Sequence, residues 1–252
     1  MTESMEAEHA HRGAVRLGRA YGRYIPRLII ERLRREARAV DSPSKEDFRA
    51  AILFADISGF TPLTEAFASR GPEGAEALTH LLNDYFGRMC EIVFDHGGDV
   101  LKFAGDALLA TWRPEAEGSS ASDVCARAVS CAKGLQDGLA GYTADGHPLS
   151  LRTAVGFGSA SVVHVGGQFG RWEFAIAGGA LNQVGRISDL ADPGDVLVST
   201  EVFARLRART RAEIVVNPDA DPELTEWPPR RIHAIEGIKP RRARPPRDLP
   251  VA

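Results

Sequence analysis

The chain has 252 residues, 44% of them hydrophobic, and a formal net charge of −3; a chain of this length buries roughly 70–75% of its unfolded surface, so a full core is available. That net charge excludes a generally basic nucleic-acid binder, although residues 12–38 carry nine Arg against Glu31 and Glu36, a local +7 that leaves −10 for the rest. Cys90, Cys125 and Cys131 lack CxxC spacing and read as small core hydrophobes, and neither a membrane-spanning apolar run nor a signal peptide is visible, so a cytoplasmic chain without a transmembrane segment is expected.

In chain order, residues 1–45 read as an arginine-rich helical extension whose Tyr24-Ile25-Pro26-Arg27-Leu28-Ile29-Ile30-Glu31-Arg32-Leu33 stretch has proline in a first helical turn. It ends at the breaker Asp41-Ser42-Pro43-Ser44. A β-α-β-β-α-β pattern follows from position 49. Residues 50–57 form a strand, and Leu78, Leu81, Leu82, Tyr85, Phe86, Met89, Ile92 and Val93 mark an amphipathic helix over 74–95, closed by His96-Gly97-Gly98. Strands at 99–104 and 107–112 flank a short connection, which puts Asp106 at a hairpin tip near the end of the first strand. After a polar loop, Val124, Ala128, Cys131, Leu135 and Leu139 mark a second helix, and two strands are expected at 149–157 and 159–166. Trp172-Glu173-Phe174-Ala175-Ile176-Ala177 is another strand, leading through Gly178-Gly179 into a helix with Leu181, Val184, Ile187 and Leu190 on one side and Asn182 and Arg186, four apart, on another. A strand at 195–199, a short helix at 201–208 and a strand at 212–216 complete an α/β fold, and residues 239–252 form a Pro/Arg-rich tail or linker.

Two runs carry the chemistry: Ile52-Leu53-Phe54-Ala55-Asp56-Ile57-Ser58-Gly59-Phe60-Thr61 and Lys102-Phe103-Ala104-Gly105-Asp106-Ala107-Leu108-Leu109. Each places a carboxylate inside an apolar strand-like stretch, where burial is costly without a cation or donors, so the pair points to a shared metal. Hard oxygen donors with no His or Cys beside them suit Mg2+ or Mn2+ rather than zinc. The segment Ile57, Ser58, Gly59, Phe60 and Thr61 turns from a strand into a helix, and its backbone amides suit phosphate.

Together with Gly97-Gly98-Asp99-Val100-Leu101 and with Gly178, Asn182 and Arg186, these motifs resemble the class III nucleotidyl cyclases over about residues 48–238, most closely the soluble, bicarbonate-responsive adenylyl cyclase type and its bacterial relatives. The resemblance implies a cyclase domain over 46–238 with a ferredoxin-like βαββαβ palm sheet and helices on one face. It also implies a head-to-tail homodimer, or a pairing with a second cyclase domain, whose interfacial sites convert ATP to 3′,5′-cyclic AMP and pyrophosphate. Asp56, Ile57 and Asp106 would hold two Mg2+ or Mn2+ ions per site, Lys102 would read the purine, Asn182 would orient the ribose, and Arg186 would stabilise charge on the α-phosphate. Bicarbonate is a candidate regulator.

Two departures from the family pattern stand out. Ala175 occupies the position of an adenine-reading aspartate, and Glu236 that of a triphosphate-binding lysine, for which Lys239 or the arginines at 241, 242 and 244 are the available substitutes. They keep open an alternative in which the chain is a weakly active or inactive regulatory half that binds nucleotide or bicarbonate. Gly97-Gly98-Asp99 also matches diguanylate cyclases, but Val100 and Leu101 stand where that family needs an acidic residue and Phe. A receiver domain would need an early acidic pair and a later strand-end lysine, an order this chain does not supply.

Overall fold

The computed structural model describes residues 25–36, 40–114, 118–144, 146–215 and 228–236. Most of the arginine-rich extension, the tail from 239 and the candidate substitutes Lys239, Arg241, Arg242 and Arg244 lie outside the described residues. The elements run α1 (Arg27–Glu36), β1 (Ser44–Ser58), α2 (Phe60–Ala68), α3 (Pro72–Asp95), β2 (Asp99–Ala104), β3 (Ala107–Trp112), α4 (Ala121–Gly138), β4 (Thr143–Ala144), β5 (His147–Pro148), β6 (Ser150–Gly166), β7 (Trp172–Ala177), α5 (Gly179–Ser188), β8 (Val196–Val198), α6 (Thr200–Leu206), β9 (Thr210–Ile214) and β10 (Arg230–Ile235). The main sheet has the order β2-β3-β1-β6-β8-β10-β9, with β7 paired to β6 off that path, and β4 and β5 form a separate ribbon. The mixed α/β class expected from the sequence is what is seen.

Side-chain alternation along β1 divides the core into two layers. Ala51, Leu53, Ala55 and Ile57 point to the larger cluster with Tyr85, Met89 and Val93 of α3 and Val124, Ala128, Cys131 and Leu135 of α4. Ala50 and Ile52 point the other way, toward Leu28 of α1 and Ala180, Val184 and Ile187 of α5. The expectation of helices on one face is therefore corrected: α3 and α4 cover one face, and α1 and α5 lie on the other. Helix α4 begins with a capping box in which the Ser120 hydroxyl accepts from the Asp123 amide and the Asp123 carboxylate accepts from the Ser120 amide.

Two boundaries differ for physical reasons. Strand β1 starts at Ser44, because it pairs with β6 along its whole length, from Ser44 opposite His164 to Ser58 opposite Ser150. The two strands expected at 149–157 and 159–166 are one 17-residue strand. Glycines 156 and 158 let α5 approach: a Cβ on Gly156 would lie 2.7 Å from the Ala180 carbonyl oxygen. Strand β10, which hydrophobic alternation did not reveal, pairs with both β8 and β9.

Candidate active site

The backbone ladder fixes where each carboxylate goes. Asp56 lies opposite Ala107 on β3 and opposite Arg152 on β6, and Asp106 occupies the β2–β3 turn immediately before Ala107. Both aspartates thus reach one end of the sheet although fifty residues separate them. Asp56 continues the Ala50-Ile52-Phe54 alternation and so shares the face of α1 and α5. Gly105, at φ 66°, supplies the left-handed turn residue beside Asp106.

Lys102 reaches the same face through an irregularity that sequence periodicity hides. Val100 pairs with Ala110 and Lys102 with Leu109, leaving Leu101 as the extra residue of a bulge. Asp99 lies opposite Thr111, so Asp99, Leu101 and Lys102 all share one side, whereas Phe103 lies opposite Leu108 and stacks edge-on against Phe86 of α3 with ring centroids 4.8 Å apart. Phe54 also pairs with Leu109, so Lys102 sits one same-face step back from the Asp56 row, two strands away. Its side chain is exposed. The bulge places the lysine on the face that carries Asp56.

Arg152 is the functional candidate that sequence reasoning missed. Its guanidinium donates to the Asp56 carboxylate, with Asp56 half-buried. A cation in the apolar run Leu151-Arg152-Thr153-Ala154-Val155 is as anomalous as the two aspartates, and that was the available signal. At the end of β1, Gly59 (φ 90°) caps α2, and a Cβ there would lie 3.0 Å from the Pro148 carbonyl oxygen. Phe60 and Thr61 contribute the amides of that first turn, while Pro62 has none. Ile57 is buried in the core, so only its main chain is available to a ligand.

Of the remaining expected residues, Ala175 is held away from this cluster within one chain. Ala175 pairs with Val163, which lies eleven residues beyond Arg152 along β6, about 35 Å at ~3.3 Å per residue. Ala175 is exposed on β7, and Asn182 and Arg186 are exposed on α5, whose buried side is Ala180, Val184 and Ile187. Gly178, at φ 124°, is demanded by the turn into α5, since a Cβ there would lie 2.6 Å from the Ser159 carbonyl oxygen. Glu236 is exposed at the end of β10, its amide donating to the Arg209 carbonyl at 2.9 Å. The turn joining β6 to β7 presents Phe169 at 97% exposure with φ 53°, a left-handed backbone in a non-glycine residue.

The carboxylate pair fits a magnesium-type ion. Its donors are oxygens, Arg152 offsets part of their charge, and among the described residues no group of three or more His, Cys, Asp or Glu is assembled for a metal. Two carboxylates completed by backbone oxygen, water and substrate phosphate are what Mg2+ accepts, whereas a closed protein cage is what structural zinc needs.

The family described as the adenylate and guanylate cyclase catalytic domain matches residues 43–224. Adenylate cyclase type 10 of Oryctolagus cuniculus is 34% identical over 180 residues, covering 70% of this chain and 11% of that protein, so the chain spans about a tenth of that relative's length. An adenylate cyclase of Mycobacterium tuberculosis is 28% identical over 207 residues, covering 81% of this chain and 42% of that protein. The crystal structure of the adenylyl cyclase CyaB from P. aeruginosa superposes with a TM-score of 0.60 at 24% identity, covering 77% of this chain and 97% of that one, a likeness of fold. Among the described residues no helix is long and apolar enough to cross a membrane.

Proposed function

The chain belongs to the adenylate and guanylate cyclase catalytic-domain family, and from that premise we propose that it converts ATP to 3′,5′-cyclic AMP and pyrophosphate at sites shared between two copies. The observation that carries the shared site is the β6 register: Asp56 and Asp106 belong to one end of the strand and Ala175 to the other. No single chain closes a gap of about 35 Å around one nucleotide. A head-to-tail pair would set the carboxylate end of one copy against the β7–α5 end of its partner, forming two equivalent sites.

In this reaction the ribose 3′-oxygen bonds to the α-phosphorus as the bond from that phosphorus to the bridging oxygen of pyrophosphate breaks, and the hydroxyl proton is released. Asp56 and Asp106, with the main chain at Ile57, would hold Mg2+ or Mn2+, which supplies charge for hydroxyl ionisation and for the leaving phosphates. Arg152, already paired with Asp56, would hold that carboxylate in position and lend a second cation to the triphosphate. The amides of Phe60 and Thr61 at the start of α2 would take phosphate oxygens. Lys102 would donate to N1 of adenine, an acceptor that guanine lacks. From the partner, Asn182 would orient the ribose and Arg186 would meet the charge growing on the α-phosphate.

The test is cyclic-product formation from ATP or GTP, with Mg2+ or Mn2+, across a protein concentration series. Specific activity should rise with concentration as pairs form, and cyclic AMP should exceed cyclic GMP. No cyclic product at any concentration would overturn the reading. It would favour the second one, a regulatory half that binds nucleotide without turnover, to which the exposed Ala175 and Glu236 lend support.

A further inference from the structure

Helix α1 is attached to the strands that carry both halves of the proposed site. At its start, the Asp99 carboxylate, only 6% exposed, accepts from the Arg27 amide at 2.9 Å and the Leu28 amide at 3.0 Å. A buried acidic side chain on β2 thereby satisfies donors that a helix N-terminus leaves without intrahelical partners. Burial pushes this carboxyl above its ordinary range, and the two amides oppose that shift, so carboxylate and helix end stabilise one another. In the middle of the helix, Glu31 pairs with Arg113, the residue directly after β3, and that guanidinium lies 5.7 Å over the Phe48 ring of β1. Leu28 and Ile30 are buried.

Toward its end, the nearly buried Arg32 bonds to Nδ1 of His164 and, at 3.0 Å, to Glu36. His164 lies on β6 opposite Phe174, the residue before Ala175. Ten residues of helix, about 15 Å, therefore run from the root of the β2–β3 hairpin to the β6–β7 pair.

We propose that Asp99 is a positioning residue and that α1, anchored on it, sets the bulge at Leu101 and with it the facing of Lys102 and the hairpin tip at Asp106. Asp99 is three residues before Lys102, and the bulge lies between them. With α1 seated, Asp99 is fixed on the α1 side of the sheet, and the single extra residue at Leu101 turns Lys102 to that same side. With α1 released, Asp99 loses both amide donors and the helix that covers it, so β2 is no longer tied at the bulge. A signal arriving at α1 from the preceding residues would act on base reading and on the metal carboxylate through one strand. The effect on Lys102 rests on the cyclase reading, whereas the effect on the hairpin does not.

The experiment compares wild type with Asp99→Ala, Asp99→Asn and Arg32→Met in the full chain, by amide hydrogen exchange without nucleotide and by steady-state kinetics. In Asp99→Ala, exchange should rise about tenfold or more over 27–36 and also over 100–109, as two buried amides lose a charged acceptor. Strand β8 should be unaffected. Asp99→Asn, keeping one acceptor oxygen, should fall between. Arg32→Met loosens the other end of α1 without touching β2, and it should still raise exchange over 100–109. In turnover, Asp99→Ala should lower kcat and the ATP-over-GTP preference, with Asn restoring part of both. Release of α1 with the hairpin still at wild-type exchange would overturn the proposal, as would hairpin loosening with unchanged kcat and base preference. A wild type that makes no cyclic nucleotide but shows the exchange coupling would sink the cyclase reading and leave the structural coupling standing.

Discussion

The two ends of β6 differ in how much of their chemistry a single chain finishes. At the Arg152 end, three strands and a hairpin turn carry Asp56, Asp106, Arg152 and Lys102, with Asp56, Arg152 and Lys102 set by backbone pairing and Asp106 by the turn between β2 and β3. At the Val163 end, β7 leaves Ala175 exposed, Val165 is exposed, and Phe169 stands almost wholly in solvent on a left-handed backbone. One end carries the charged side chains and the other exposed apolar ones, and under the proposed head-to-tail pairing a second copy would set the two against each other.

The strongest way to break that comparison is to disable each end in separate chains. Asp106→Ala removes the proposed metal carboxylate and Arg186→Ala the proposed transition-state cation, and each variant alone should lose about a thousandfold or more of cyclic-product formation. Mixed in equal amounts, half of the dimers pair one variant with the other. In each such dimer one site carries both lesions and the other carries none, so activity should return to about a quarter of wild type. Two dead variants that stay dead when mixed, while cross-linking shows mixed dimers, would mean that the two ends of β6 do not meet across an interface.

The carboxylate end was legible because its signals are local. Each aspartate interrupts an apolar alternation, and the glycine before Asp106 marks a tight turn, so the hairpin tip follows from a few consecutive residues. What escaped was non-local. The Leu101 bulge exists only relative to β3, the pairing of Arg152 with Asp56 only relative to β1, and the cap from Asp99 only relative to a helix some seventy residues away. The expected division of β6 falls at Gly158, and because a close helix approach and a turn both demand glycine, one sequence cannot separate them. The Val163 end left a different trace: Asn182 and Arg186 at helical spacing, beside an alanine whose significance rests on family resemblance alone.

A smaller effect sharpens the role of the far end in base recognition. Ala175 is exposed on β7, so Ala175→Asp should fold normally while adding an acceptor for the adenine amino group. One such hydrogen bond to a charged acceptor is worth about 1.5–3 kcal/mol, which corresponds to a gain of roughly tenfold or more in the ratio of kcat/KM for ATP over GTP. In the presence of Arg186→Ala the gain should persist in KM though little turnover remains. An unchanged ratio would place position 175 away from the base and return discrimination to Lys102 and its bulge.

The smallest expected effect is a pH response centred on the far end. His164 is packed by Arg32 and Glu36 of α1, by Ser44 and Glu46 of β1, and lies opposite Phe174 of β7. Burial, and then the Arg32 guanidinium, hold its proton affinity below the ordinary value, with Glu36 and Glu46 opposing. The folded chain thus binds this proton less readily than the unfolded chain, whose imidazole titrates near ~6.5. The sign follows: stability is complete above that value and is lost as pH falls from it toward the depressed folded value, because the unfolded state takes up the proton first. Wild type should lose a few degrees more of Tm between neutral pH and pH 5 than His164→Gln, which keeps an acceptor for Arg32 but cannot titrate. Exchange should rise in acid over the end of α1 and the β6–β7 pair and, passed along the helix to Asp99, by a smaller factor over 100–109. Equal acid sensitivity in the two proteins would assign the response to other groups and leave the two ends of β6 distinguished by their chemistry but not by their proton linkage.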